Sequence, residues 1–280
     1  MLKRRQSGLG LKSKLMNQIQ EAFNKAHAEN RAALIAYLPA GFPDKTKSIE
    51  ILETILQNGA DLVEVGLPYS DPLMDGPTIQ QAVEISLAQN TTIDDCFDVV
   101  EQVARANKPV LIMSYYSPID KYGVKKFVSK FAKAKGAGVI TPDLTVEEAA
   151  EWLSETEQQG VNRVFVVAPS NSKERLGRVV KEVDGFVYAA SLMGVTGTRD
   201  TLSKDAQELV NKLREITSLP IAVGLGVSTP EMAKEVSRFA DGVIVGSAFV
   251  RILLENSDFA VAKKLIAELT VQLRAGVSRN

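Results

Sequence analysis

Cysteine and histidine are nearly absent: Cys96 and His27 are the only examples among 280 residues. A lone cysteine excludes an internal disulfide, and one cysteine with one histidine cannot assemble a Cys/His metal cluster. No metal is expected, the reducing cytosol is the expected compartment, and acid-base work falls to carboxylates or tyrosines. Long apolar runs are also missing. Nothing approaches the length of a membrane span, so no membrane is expected. The first ten residues hold Lys3, Arg4 and Arg5 but no apolar core of signal-peptide length, so secretion is not expected. Charge of one sign is lacking as well, the formal net charge being -1. Neither nucleic acid nor an anionic membrane would be drawn to such a surface, which favours small-molecule chemistry or a protein partner.

What is present is a repeating pattern. Eight short apolar runs alternate with longer segments of helical period: Ala32 to Leu38, Asp61 to Gly66, Pro109 to Ser114, Gly138 to Pro142, Arg163 to Ala168, Gly185 to Ala190, Pro220 to Gly224 and Asp241 to Gly246. The helical segments include Pro77 to Ala88, Thr92 to Ala106, Val124 to Lys135, Lys173 to Lys181, Ser203 to Ile216 and Asp258 to Leu273, with a stripe of Ile49, Leu52, Ile55 and Leu56 in another. Thr145 with Glu148 reads as a capping box, and Thr229-Pro230 as a helix start. Ahead of the first run, Leu15, Met16, Ile19, Phe23 and Ala26 recur at helical spacing, and His27 at the end of that helix is expected at the surface. Strand and helix alternating eight times, without a Pro/Gly/Ser-rich linker, predict a single α/β domain of (β/α)8 TIM-barrel type with an additional N-terminal helix. A doubly wound open sheet is the alternative, but no Gly-x-Gly-x-x-Gly follows the first run to support it.

In a barrel the site forms at the carboxyl ends of the strands, and the unusual residues fall there. Glu64 is a carboxylate inside an apolar run, where an unpaired charge costs several kcal/mol. The loop after it, Leu67-Pro68-Tyr69-Ser70-Asp71-Pro72-Leu73-Met74-Asp75-Gly76-Pro77, presents further acids and ends where a helix can begin. The plain reading is that Glu64 ion-pairs with a neighbouring strand and that Asp71 and Asp75 cap turns; the chemical reading is that the site uses the Glu64 carboxylate, with further acids presented by the loop. Tyr37 closes the first run, Tyr115 and Tyr116 the third, Asp143 the fourth, and Tyr188 lies on the sixth. Gly224-Leu225-Gly226 and Gly246-Ser247 follow the last two runs, the usual phosphate-binding place of this barrel, where N-H donors at a helix N-terminus meet the anion.

The Glu64 loop resembles the signature of the tryptophan synthase alpha subunit family. Further matches in order are Tyr37 with Pro39-Ala40-Gly41-Phe42-Pro43, Pro142-Asp143-Leu144, Gly194-Val195-Thr196-Gly197, Val223 to Ser228, and Gly246-Ser247-Ala248. Met74, Ser117, Leu192, Met193 and Thr145 depart from the commoner pattern. The resemblance implies reversible retro-aldol cleavage of indole-3-glycerol phosphate to indole and glyceraldehyde 3-phosphate in tryptophan biosynthesis. It implies Glu64 and Asp75 as catalytic residues, with Tyr37, Leu111 and Tyr188 around the indole, Leu111 being equally readable as ordinary core. It also implies Gly197, Gly226, Gly246 and Ser247 at the phosphate end, with the loop from Ser191 to Asp200 as a lid whose Thr196 reaches towards Asp75. No cofactor is implied in this chain, while a beta subunit carrying pyridoxal phosphate is the implied partner in an alpha2beta2 heterotetramer. A free-standing lyase that releases indole, and a non-catalytic sugar-phosphate-binding subunit, remain alternatives. Residues 1–14 precede the family's pattern and are expected to form a flexible extension to a barrel at 15–280. The cytoplasm is the expected location, or the plastid stroma if the source is a plant or alga.

Overall fold

The structure is a computed structural model that describes residues 18–190, 199–224 and 226–279, with the backbone alone described at 199–203. Eight parallel strands pair in sequence order and close on themselves: β1 (Ala33–Pro39), β2 (Leu62–Gly66), β3 (Val110–Met113), β4 (Gly138–Thr141), β5 (Asn162–Val167), β6 (Val187–Ala190), β7 (Ile221–Gly224) and β8 (Gly242–Val245). Parallel strands between a filled interior and an outer ring of helices are buried on both faces, which is why the runs read as continuous apolar stretches rather than alternating ones. The ring comprises α1 (18–28), α2 (Lys45–Gln57), α3 (Pro77–Ala88), α4 (Ile93–Val103), α5 (Tyr116–Tyr122), α6 (Val124–Lys133), α7 (Ala150–Gln159), α8 (Lys173–Glu182), α9 (Arg199–Arg214), α10 (Pro230–Ser237), α11 (Ser247–Glu255) and α12 (Phe259–Gly276). The TIM barrel is therefore the fold, and the open sheet is excluded.

Local signals set most helix starts. α3 begins at Pro77 behind Gly76, and α10 at Pro230, where the Thr229 hydroxyl accepts the Met232 N-H at 3.3 Å. The expectation at Thr145 fails. Its hydroxyl donates to the Glu148 carboxylate at 3.0 Å instead of capping a backbone N-H, the segment forms a turn, and α7 starts only at Ala150. A complete capping box occurs at Thr92 and Asp95. α5 was not expected from periodicity. Its first N-H, that of Tyr116, donates to Asp143 Oδ1 at 2.9 Å, a partner from the loop after β4 that no local pattern announces.

Side chains alternate between two cores. Val63 and Val65 face the helices, while Ala33, Ile35, Leu62, Leu111, Ile140, Val164, Phe186, Ala222 and Ile244 fill the barrel. α1 closes the amino end by sending Ile19, Phe23 and Ala26 into that filling, with the Phe23 and Phe186 rings 5.5 Å apart. Leu15 and Met16 lie outside the described residues, and His27 is exposed near the end of α1 as expected. Acids at this amino end are paired: Asp61 with Arg31 at 2.5 and 2.8 Å, Asp184 with Arg163, and Asp241 with Arg214. Among the described residues no helix is long and apolar enough to cross a membrane.

Candidate active site

The carboxyl end of the barrel is different: among the described residues the Glu64 and Asp75 carboxyls have no side-chain partner there. Parallel register sets Glu64 of β2 between Tyr37 of β1 and Leu111 of β3. Two residues after Leu62 on the same face, Glu64 points into the barrel, where it is completely buried. Among the described residues neither of its carboxylate oxygens has a hydrogen-bond partner. The ion pair with a neighbouring strand is thus absent, and burial alone pushes the Glu64 carboxyl up to about 8.

Asp75 stands in the loop between β2 and α3. It does not cap α3, whose N-cap is Gly76 with no side-chain bond; among the described residues its backbone oxygen alone is engaged, accepting from the Gln80 amide at 2.8 Å. Burial raises its carboxyl to about 6. Asp71 fits the plain reading better, accepting the Ser70 hydroxyl at 2.6 Å within the exposed loop. Two carboxyls with separated pKa values give one group protonated and one ionised at neutral pH, the arrangement that supplies an acid and a base together.

Tyr37 and Tyr188 complete the cluster. Burial first, then the Asp75 and Glu64 charges, raise the Tyr37 phenol; burial, then Glu64 and Asp75, raise the Tyr188 phenol. Both rings are accommodated by glycine. A Cβ on Gly66 would collide with Tyr37 Oη, and one on Gly224 would stand 2.5 Å from Tyr188 Oη. Gly246 likewise leaves room for the root of the Tyr37 ring, at 3.1 Å from Cδ1. Leu111 is fully buried in the barrel filling beside Glu64.

Towards β7 and β8, Gly226 has φ +65°, a conformation that favours glycine, and Gly246 precedes α11, whose N-terminus has no side-chain cap. Gly226, Gly246 and Ser247 are all at least partly exposed. They lie at the carboxyl ends of two neighbouring strands, where uncapped N-H groups at a helix start suit an anion. Thr196 and Gly197 lie outside the described residues, as does most of the Ser191 to Asp200 loop.

Three features escaped the sequence reading. Met113 and Val166 are partly exposed and pack on the barrel filling, two residues beyond Leu111 and Val164; alternation along β3 and β5 was the available signal. The pairing of Gly66 and Gly224 with the tyrosines had no local signal. Nor did the bond from the Met74 N-H to Tyr115 Oη at 2.8 Å, which ties the Asp75 loop to the end of β3. Among the described residues no group of His, Cys, Asp and Glu could hold a metal ion.

Comparisons with known proteins point to one family. A family-wide sequence profile described as Tryptophan synthase alpha chain matches residues 23–276. The chain is similar to the tryptophan synthase alpha chain of Thermobifida fusca, 48% identical over 94% of this chain and 98% of the relative. It is 49% identical to that of Streptomyces avermitilis, over 92% and 94%. It superposes on a chain of tryptophan synthase from M. tuberculosis, solved in an aminoacrylate-bound form, with a TM-score of 0.85, 40% identity and coverage of 93% and 99%. An alpha subunit from Legionella pneumophila gives a TM-score of 0.84 at 30% identity, over 93% of this chain and 98% of that one. With its fold, its unpaired acids and these likenesses in agreement, the chain belongs to the tryptophan synthase alpha chain family, the lyases of tryptophan biosynthesis that cleave indole-3-glycerol phosphate.

Proposed function

We propose that Glu64 and Asp75 carry the retro-aldol cleavage of indole-3-glycerol phosphate in this chain, acting as the alpha subunit beside a beta partner. One observation carries the assignment: Glu64 is fully buried, unpaired and held at about 8, while Asp75 titrates at about 6. At neutral pH Glu64 keeps its proton and Asp75 is ionised. Glu64 delivers its proton to indole C3, and the positive charge that develops at the ring nitrogen is met by Asp75, which accepts the N-H. The Glu64 carboxylate then takes the proton of the glycerol hydroxyl. That oxygen becomes the carbonyl of glyceraldehyde 3-phosphate, and the electron pair of the breaking carbon-carbon bond restores the indole ring. The proton given is returned, so Glu64 ends as it began.

Tyr37, Tyr188 and Leu111, with Met113 and Val166, wall the indole. The N-H groups of Gly226, Gly246 and Ser247, with Gly197, hold the phosphate, and Thr196 is the residue that reaches towards Asp75. The chemistry needs only proton transfer between the Glu64 carboxyl and the substrate, with Asp75 offsetting the developing charge, so the chain itself carries no cofactor; pyridoxal phosphate belongs to the beta partner of an alpha2beta2 assembly in the cytoplasm. Apolar surface at the tip of the Asp75 loop, Leu73 and Met74, supports a partner on this face. Residues 15–280 form the catalytic unit, with 1–14 as an extension. The test is indole release by the purified chain with and without a beta subunit. Strong stimulation supports the subunit role, and full turnover by the chain alone makes it a free-standing lyase.

A further inference from the structure

Asp75 stands in a loop with little of its own to hold it. Leu73 and Met74 immediately before it are 81% and 39% exposed, so neither anchors the tip in the core. The loop is tied at either end: the Leu67 N-H donates to the Met113 carbonyl of β3 at 2.9 Å, and Gln80 of α3 reaches the Asp75 carbonyl. Among the described residues, the hydrogen bond that reaches the tip itself from another unit is Met74 N-H to Tyr115 Oη, at 2.8 Å. Tyr115 is buried, and its ring also meets Tyr69 near the start of the loop, with centroids 5.6 Å apart. One side chain thus touches the loop near its start and next to its acid.

Tyr115 is itself fixed. It is the N-cap of α5, and the next N-H, from Tyr116, donates to Asp143 Oδ1 in the loop after β4. Three consecutive loops are therefore tied in series: Asp143 to Tyr116, Tyr115 to Met74, and Met74 through one peptide to Asp75. We propose that Tyr115 is a positioning residue for Asp75, its hydroxyl fixing where that carboxylate stands by accepting the Met74 N-H. The proposal rests on Asp75 being the group that meets the indole nitrogen. Reacting groups must be held close to their productive geometry, and a displacement of an ångström costs up to about 100-fold in rate. Loss of one neutral hydrogen bond loosens the loop without detaching it, so the expected loss is about tenfold.

Tyr115→Phe removes the hydroxyl and keeps the ring against Tyr69. In the full-length chain with its beta partner, kcat for indole-3-glycerol phosphate cleavage falls about tenfold while KM stays within about twofold. The acidic limb of the pH profile of kcat/KM moves downward, because a loosened Asp75 returns towards solvent and its ordinary pKa. In an Asp75→Asn background the same change costs less than about twofold in single-turnover rate, since the residue it positions no longer takes part. An unchanged kcat, an acidic limb that stays in place, or an equal loss in both backgrounds overturns the proposal. Full turnover by Asp75→Asn alone instead removes the role given to Asp75.

Discussion

Replacing Glu64 by Gln should stabilise the protein, and by an amount that depends on pH. A glutamate that titrates at 4.5 when unfolded and at about 8 when folded binds its proton more tightly in the native state. Between those values the folded chain carries a proton that the unfolded chain has released, so stability falls as pH rises, by about 1.4 kcal/mol per pH unit. Below about pH 4 both states are protonated, and above about pH 8 both are ionised, so the fall is confined to that window. Glutamine carries no such proton in either state. Urea unfolding of both proteins from pH 5 to pH 8 should therefore show the Glu64→Gln variant gaining on the parent by about 4 kcal/mol across the three units. The gain should level off at higher pH. Stability curves that run parallel from pH 5 to 8 would refute the claim that Glu64 is buried without compensation.

The remaining predictions concern the rate and the tyrosine pocket. The pH profile of kcat/KM should be bell-shaped with limbs near 6 and 8, needing Asp75 ionised and Glu64 protonated; a flat profile between pH 5 and 9 would remove both assignments. Asp75→Asn should lose turnover by about 100-fold or more while binding a substrate analogue nearly as before, because an amide oxygen accepts the N-H but cannot offset the developing charge. Measured analogue affinity that falls as far as the rate would make Asp75 a binding residue only. Gly224→Ala should raise KM by displacing Tyr188, whose Oη would lie 2.5 Å from the new methyl, and Tyr188→Phe should recover part of the loss. No recovery in the double variant would mean that Tyr188 is not what Gly224 accommodates.

The sequence made the barrel legible because each parallel strand, buried on both sides, is a short apolar run bounded by turn residues. Boundaries were clear where the determinant is local, as at Pro77 and Pro230, and wrong where it is tertiary. Tyr116 starts α5 because Asp143 receives its N-H from another unit, and Thr145 with Glu148 satisfied each other rather than a helix end. The acids were visible for the same local reason: a charge in an apolar run and a second in a proline-stiffened loop stand out. What stayed hidden were relations across the barrel. Nothing near Gly66 or Gly224 in the chain announces that a tyrosine ring needs the space of its missing Cβ. Nothing near Met74 announces that its N-H goes to Tyr115. The two inner-wall residues Met113 and Val166 sit on strands apolar on both faces, where alternation is not conspicuous.

The account turns on Glu64 as the group that protonates indole C3, and one comparison addresses it most directly. Cleavage turnover and the affinity for a non-cleavable indole-alkyl phosphate would be measured on Glu64→Gln and on the parent at pH 7, each with the beta partner. Glutamine keeps the size and polarity of the side chain but cannot transfer the proton, so turnover should fall by at least about 100-fold with affinity changed by no more than about threefold. Turnover within a few-fold of the parent would make Glu64 a buried structural acid and contradict the mechanism.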